Sequence, residues 1–250
     1  MKRGRMSAKD RKQAIVMAAL PLFARQGYAE TTTKELAKAA GVSEPLLYKH
    51  FPSKEALYLE IHNFCCHGND AVSRKFTELL SEVEASTSTL VYLVYYLVRL
   101  QVLGKPAGAI SLDTWQRLML KSLLEDGAFA RIMYRDRFED FCVRIEACLD
   151  AAVASGEAVK SPLSPGNRAS FGHYLAAWLA SVHLPSKPVI KCQTTSEELV
   201  YQAVWFILRG MGVTDKAIST YYNPKALALF SDADDKSSNP KVSKRSLKTK

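Results

Sequence analysis

A chain of 250 residues, 48% of them hydrophobic, has enough apolar side chain for one large domain or two modest ones, which excludes global disorder. Its net charge of +9 is unevenly placed: residues 1–62 hold eleven Lys/Arg against six Asp/Glu, and residues 231–250 hold six against three. The long middle is therefore near neutral, a pattern that points to a localised polyanion contact rather than a generally basic protein.

The N-terminus resembles a secretion signal, with Lys2, Arg3, Arg5, Lys9, Arg11 and Lys12 preceding an apolar run over 14–24. Asp10 interrupts the basic stretch, Pro21 sits inside the run, and no small-x-small cleavage site follows. Helical periodicity explains the run better: Ile15, Ala18, Ala19, Leu22 and Phe23 fall on one face. Ser7 with Asp10 is a capping pair for that helix, Gly27 a stop, and Pro21 is expected to kink it. Thr32 and Glu35 then form a T-x-x-E box ahead of Leu36, Ala39 and Ala40. Gly41 supplies a left-handed turn residue, and Ser43 caps the next short helix with Pro45 in its first turn. That helix ends at Phe51-Pro52, and Ser53 caps a fourth carrying Leu57, Ile61 and Phe64 inward.

Further helices are predicted near 71–84, 88–103, 109–125, 128–155, 167–184, 196–212 and 215–229. The segment 90–100 is apolar nearly all round, as a helix at a domain centre would be, but it carries Arg99 and is too short to span a bilayer. Loops are marked by Gly104, Pro106, Gly156, Pro162, Pro165, Gly166, Pro185 and Pro188. Residues 231–250 are rich in Ser, Lys and Asp and are read as a disordered basic tail. The fold class is all-α, with no strand pattern competing. Five cysteines without a CxxC pair fit reduced thiols and a cytoplasmic setting.

Residues 31–54 read TTTKELAKAAGVSEPLLYKHFPSK. Two short helices around a glycine turn are the minimum of a helix-turn-helix, whose second helix presents its N-terminal residues to base edges in the major groove. Small Ala37, Ala39 and Ala40 allow close approach, Leu36, Val42 and Leu47 form the core beneath, and Glu44, Pro45, Leu46, Tyr48 and Lys49 remain for the outer face. This string is similar to the signature of the tetracycline-repressor-like (TetR) family: Thr-Thr, an Ala-Gly-Val-Ser turn, Leu-Tyr-x-His-Phe, and Ser-Lys-Glu-x-Leu. The likeness covers roughly residues 10–64. It implies an N-terminal DNA-binding domain over 1–62 and a helical effector-binding and dimerisation domain over 63–230. It further implies a homodimeric repressor, not an enzyme, that binds a double-stranded operator and is released by a small molecule. By that resemblance Thr33, Lys34, Tyr48 and Lys54 touch phosphate, Glu44, Pro45 and Leu46 face bases, and His50 sits near the backbone; Thr32, Ser43 and Lys49 complete the expected DNA-binding set. Glu44 has a second reading, as a cap of its own helix, because a carboxylate near DNA is repelled unless it accepts from a cytosine amino group.

An effector pocket would draw on Tyr95, Tyr96, Trp115 and Trp178, with Asp113, Arg117 and His173 as polar anchors, unless these aromatics are plain core. A dimer face would use Leu175, Trp178, Leu179, Val204, Trp205 and Leu208. His62, Cys65 and Cys66, at i, i+3 and i+4, are candidate soft-metal ligands; alternatively Cys65 or Cys66 is a small buried hydrophobe and the histidines are surface residues. No cofactor is called for, and no nucleophile elbow, phosphate loop or H-E-x-x-H occurs. A helical carrier that merely contains such a bundle is the rival of another class.

Overall fold

The computed structural model describes residues 6–67, 83–104, 111–187, 189–190 and 194–228. Among these the regular elements are helices, with one isolated antiparallel bridge between Ala158 and Val213. The first four helices are α1 (Ala8–Gln26), α2 (Thr33–Ala39), α3 (Glu44–His50) and α4 (Lys54–His67). They are followed by α5 (Thr87–Leu103), α6 (Leu112–Leu124), α7 (Ala128–Met133) and, after a π-helical turn (Tyr134–Phe138), α8 (Glu139–Ala154). The last three are α9 (Pro165–Ser181), α10 (Ser196–Gly210) and α11 (Asp215–Tyr221). The helix expected near 71–84 and the tail over 231–250 lie outside the described residues.

Local chemistry sets the boundaries of the first elements. Ser7 accepts from the Asp10 amide at 3.1 Å and donates to the Asp10 carboxylate at 2.7 Å. From there α1 runs through Pro21 as one helix and stops at Gly27, whose φ of 88° only glycine adopts cheaply. The buried face of α1 is wider than the sequence suggests: Val16, Leu20 and Ala24 join Ile15, Ala19 and Phe23, while Ala18 and Leu22 are only partly covered. The reason is that α1 is packed by α2, α4 and α6 rather than from one side.

Two apolar clusters result. One joins α1 to α4 through Ile15, Phe23, Leu36, Leu47, Leu57 and Ile61, and takes in Leu118 of α6 with Phe129 and Met133 of α7. The other surrounds α5, whose Leu90, Val91, Leu93, Val94 and Val98 are all but inaccessible because α8, α9, α10 and α11 pack around it. Gly172 brings α9 onto α10: a Cβ there would meet Ile207 at 2.9 Å and Met211 at 3.0 Å. The single helix expected over 128–155 is interrupted instead by the π turn. Such insertions are uncommon in helices and tend to mark functional sites. Among the described residues no helix is long and apolar enough to cross a membrane.

Candidate nucleic-acid interface

The connection from α2 to α3 is a Schellman turn. The Val42 amide bonds the Ala37 carbonyl at 3.0 Å and the Gly41 amide bonds Lys38 at 3.2 Å, with Gly41 at φ 64°. Val42 thereby tucks against the core, and α3 starts at Ser43, which accepts from the Leu46 amide at 3.4 Å. Leu47 anchors α3 inward. Pro45, Tyr48 and Lys49 then face outward; Tyr48 is 45% exposed, more than packing alone would leave an aromatic ring. Leu46 and His50 are half-buried at the edges of the same face. Lys34 is exposed on the first turn of α2.

Other members of the expected set are committed within the fold. Thr32 and Glu35 form a reciprocal capping box, the Thr32 amide and hydroxyl donating to Glu35 at 2.9 Å and 2.8 Å. The backbone and side-chain bonds of Thr32 hold the Glu35 carboxyl below the usual range. Glu44 accepts from the Thr33 hydroxyl at 3.2 Å, which ties the start of α3 to the start of α2. Lys54 departs furthest from expectation. Its ammonium donates to the carbonyls of Tyr28 (2.8 Å), Thr31 (3.1 Å) and Ala29 (3.3 Å), and lies 4.3 Å from the centre of the Tyr28 ring. With three donors on three carbonyls, it fastens the α1–α2 loop.

The same loop is held from the other side by a residue the sequence did not single out. Glu125, immediately after α6, accepts from the amides of Tyr28 (3.2 Å) and Ala29 (3.4 Å). A Cβ on Gly27 would stand 2.0 Å from its Oε1, so the glycine makes room for the carboxylate. The loop that launches α2 is thus gripped by a cation on its carbonyls and an anion on its amides.

Helix α6 also lines a cavity of about 240 Å³. Of the expected pocket residues, Tyr96, Trp115 and His173 line it. Tyr95 does not: it is buried in the α5 cluster with its ring 6.0 Å from that of Tyr222. Asp113 and Arg117 pair at 2.9 Å on the outside of α6, with Arg117 also donating to the Leu184 carbonyl. Trp178 is 64% exposed and points away. His173 is joined in the polar lining by residues not expected there. Gln116 donates to Gln101 at 2.9 Å, and the π turn brings the Tyr134 hydroxyl to 3.2 Å from Nε2 of His173. Burial lowers the His173 pKa to about 4, so the ring is neutral near pH 7.

The expected dimer residues divide in the same way. Val204 and Leu208 are wholly buried in the α5 cluster, and Leu175, Leu179 and Trp205 are partly covered by it. Trp178, of the expected set, is on the surface of α9, and Phe171, Tyr174 and Phe206 join it on α9 and α10, each of the four more than half exposed. His62 is buried with its ring edge-on to Phe129 at 6.0 Å, and the side chains of Cys65 and Cys66 lie outside the described residues.

Residues 15–61 match the family described as bacterial regulatory proteins, tetR family. The HTH-type transcriptional regulator EthR of Mycolicibacterium smegmatis (strain ATCC 700084 / mc(2)155) is 44% identical over 63 residues, which is 24% of this chain and 29% of EthR. The chain therefore spans less than a third of that relative's length in the match. Among solved structures, Salmonella enterica GusR overlays 84% of this chain and 99% of its own with a TM-score of 0.53 at 19% identity. AibR, solved in complex with isovaleryl coenzyme A and operator DNA, overlays 78% of this chain and 97% of its own with a TM-score of 0.55 at 20% identity. The first match identifies residues 15–61 as a tetR-type reading head, and the overlays show that the fold of these regulators extends over most of the chain.

Proposed function

We propose that this chain is a homodimeric repressor that reads a two-fold symmetric operator and is released from it by a small molecule bound in the α5–α9 cavity. The observation that carries the reading is the outer face of α3. There Tyr48 and Lys49 are exposed on a helix otherwise locked down by Leu47, the Gly41 turn and the Thr33–Glu44 bond. Tyr48, Lys49 and Lys34 contact phosphate, while Pro45 and Leu46 meet base edges by apolar contact. Thr32, Thr33, Glu44 and Lys54 set the posture of that face from behind. AibR, of the same fold, is solved with an acyl-coenzyme A and operator DNA, which supports pairing a ligand site with a reading head.

The exposed aromatics of α9 and α10 are the dimer face, packed in the assembly against a second copy. Ligand and DNA sites communicate through α6. Its Trp115, Gln116 and Leu123 line the cavity, and Glu125 after its last turn holds the amides of the loop that starts α2. A differential ligand affinity of a few kcal/mol between two positions of α6 suffices to release the operator. The test is duplex binding by Tyr48→Ala and Lys49→Ala proteins. Both fold as the parent does, since neither side chain is buried; Tyr48→Ala loses specific binding, and Lys49→Ala weakens binding to all sequences alike. Undiminished specific binding by Tyr48→Ala would refute this use of α3.

A further inference from the structure

The lining of the cavity says what kind of molecule it takes. Among the described residues that line it there is no Asp, Glu, Lys or Arg. The ionic pair Asp113–Arg117 on α6 is spent on itself and on the Leu184 carbonyl at the surface. The histidine in the wall is uncharged near neutral pH, and burial also raises the pKa of Tyr134, whose hydroxyl keeps its proton. An ion entering such a space gives up hydration and finds no counter-charge, a penalty no apolar contact of ordinary size offsets.

Two neutral polar pairs interrupt the apolar wall. In the Gln101–Gln116 pair one hydrogen bond joins the two side-chain amides, which leaves three N–H donors and the Gln116 carbonyl oxygen for a ligand among the described residues. The Tyr134–His173 pair is sandwiched by Phe138, whose ring centre is 4.5 Å from that of His173 and 5.2 Å from that of Tyr134. Trp115 and Phe141 complete a wall of flat rings. We infer that the effector is an uncharged, largely aromatic molecule with one carbonyl or hydroxyl group, seated between Trp115 and the tilted Phe138–His173 ring pair with that group on the Gln101–Gln116 pair. Carboxylates, phosphorylated or thioester-linked nucleotides and quaternary amines are rejected by the same lining. This inference rests on the proposal that the cavity is the effector site.

A matched set of probes tests it: 2-acetylnaphthalene, 2-naphthoate and 2-naphthylmethyl-trimethylammonium, which share a ring system and differ in charge. Binding is read on the full chain by quenching of tryptophan fluorescence, with Trp115→Phe to identify the reporter among the three tryptophans. The ketone is expected to bind at least about tenfold more tightly than either ion, to lose its quench in Trp115→Phe, and to weaken about tenfold in Gln116→Leu. Preference for the naphthoate or the ammonium would overturn the ligand class while leaving the cavity as the effector site. Absence of binding by all three, in protein whose melting shows it folded, would overturn both. So would ketone binding that survives Ala177→Phe, which fills the cavity, provided Ala177→Ser melts as the parent does.

Discussion

Replacing Lys54 by methionine separates two roles that a lysine at this position can play. In the structure its ammonium makes three hydrogen bonds to the carbonyls of Tyr28, Ala29 and Thr31 and stands over the Tyr28 ring. At a net contribution of about 1 kcal/mol for each bond and about 0.5–1 kcal/mol for the ring contact, the substitution removes about 3–4 kcal/mol from the N-terminal cluster. Methionine preserves most of the stem's packing, so the loss reports the ammonium. Urea denaturation followed by circular dichroism measures it. The second observable is the salt dependence of duplex binding, because each neutralised phosphate contributes about −0.9 to the slope of log K against log salt. If Lys54 holds the loop, Lys54→Met costs stability and leaves the slope of any remaining binding unchanged. Lys49→Ala does the reverse, reducing the slope by about 1 per reading head. A stable Lys54→Met protein with a shallower slope would refute the reasoning and return Lys54 to the phosphate backbone.

Glu125→Ala removes the acceptors of the Tyr28 and Ala29 amides; stability falls by about 1–2 kcal/mol, and operator affinity no longer responds to 2-acetylnaphthalene, as paired titrations with and without the ketone measure. An unaltered response would remove Glu125 from the coupling. The histidine of the cavity predicts a pH dependence. Its pKa is depressed from 6.5 to about 4 on folding, so the unfolded chain takes up the proton first as pH falls. Stability is thus unaffected above about pH 6.5, declines between there and about pH 4, and has lost at most about 3 kcal/mol below that. His173→Gln should flatten that part of the parent's melting profile, and an identical profile would contradict a buried neutral ring. Phe206→Glu on the exposed face of α10 should leave the fold intact and yield monomers in sedimentation velocity; an unchanged dimer would place the interface elsewhere. Gly41→Ala meets no neighbour but demands a left-handed alanine, which costs about 1–2 kcal/mol in chemical denaturation, and a smaller change would mean that the turn re-forms without φ above zero.

The early part of the chain was legible because its signals are local. Ser7 with Asp10, Thr32 with Glu35, Gly41 and Ser43 each act within a few residues, and the structure uses each as its chemistry suggests. The loop contacts of Lys54 were not legible because its partners lie 23 to 26 residues earlier, and only the tertiary fold brings those carbonyls together. Glu125 was invisible for the same reason across more than 90 residues. Periodicity found apolar stripes on α9 and α10 but could not tell an inner stripe from an outer one. Val204 and Leu208 went inward, while Trp178, Tyr174 and Phe206 were left outside. The polar wall of the cavity escaped notice because glutamines on helices usually face water. The π turn escaped because nothing in YRDRF departs from ordinary helix-forming sequence, yet it is what sets Tyr134 and Phe138 against His173.

The most direct test of the central claim is selection of bound duplexes from a random pool by the full chain at about physiological salt, where non-specific phosphate attraction is already weak. The account predicts enrichment of a single two-fold symmetric site, its half-sites one helical turn or a multiple apart, and no enrichment by Tyr48→Ala. A folded, dimeric protein that enriches nothing, with or without 2-acetylnaphthalene, would contradict it and favour a helical carrier that only shares the shape of a reading head.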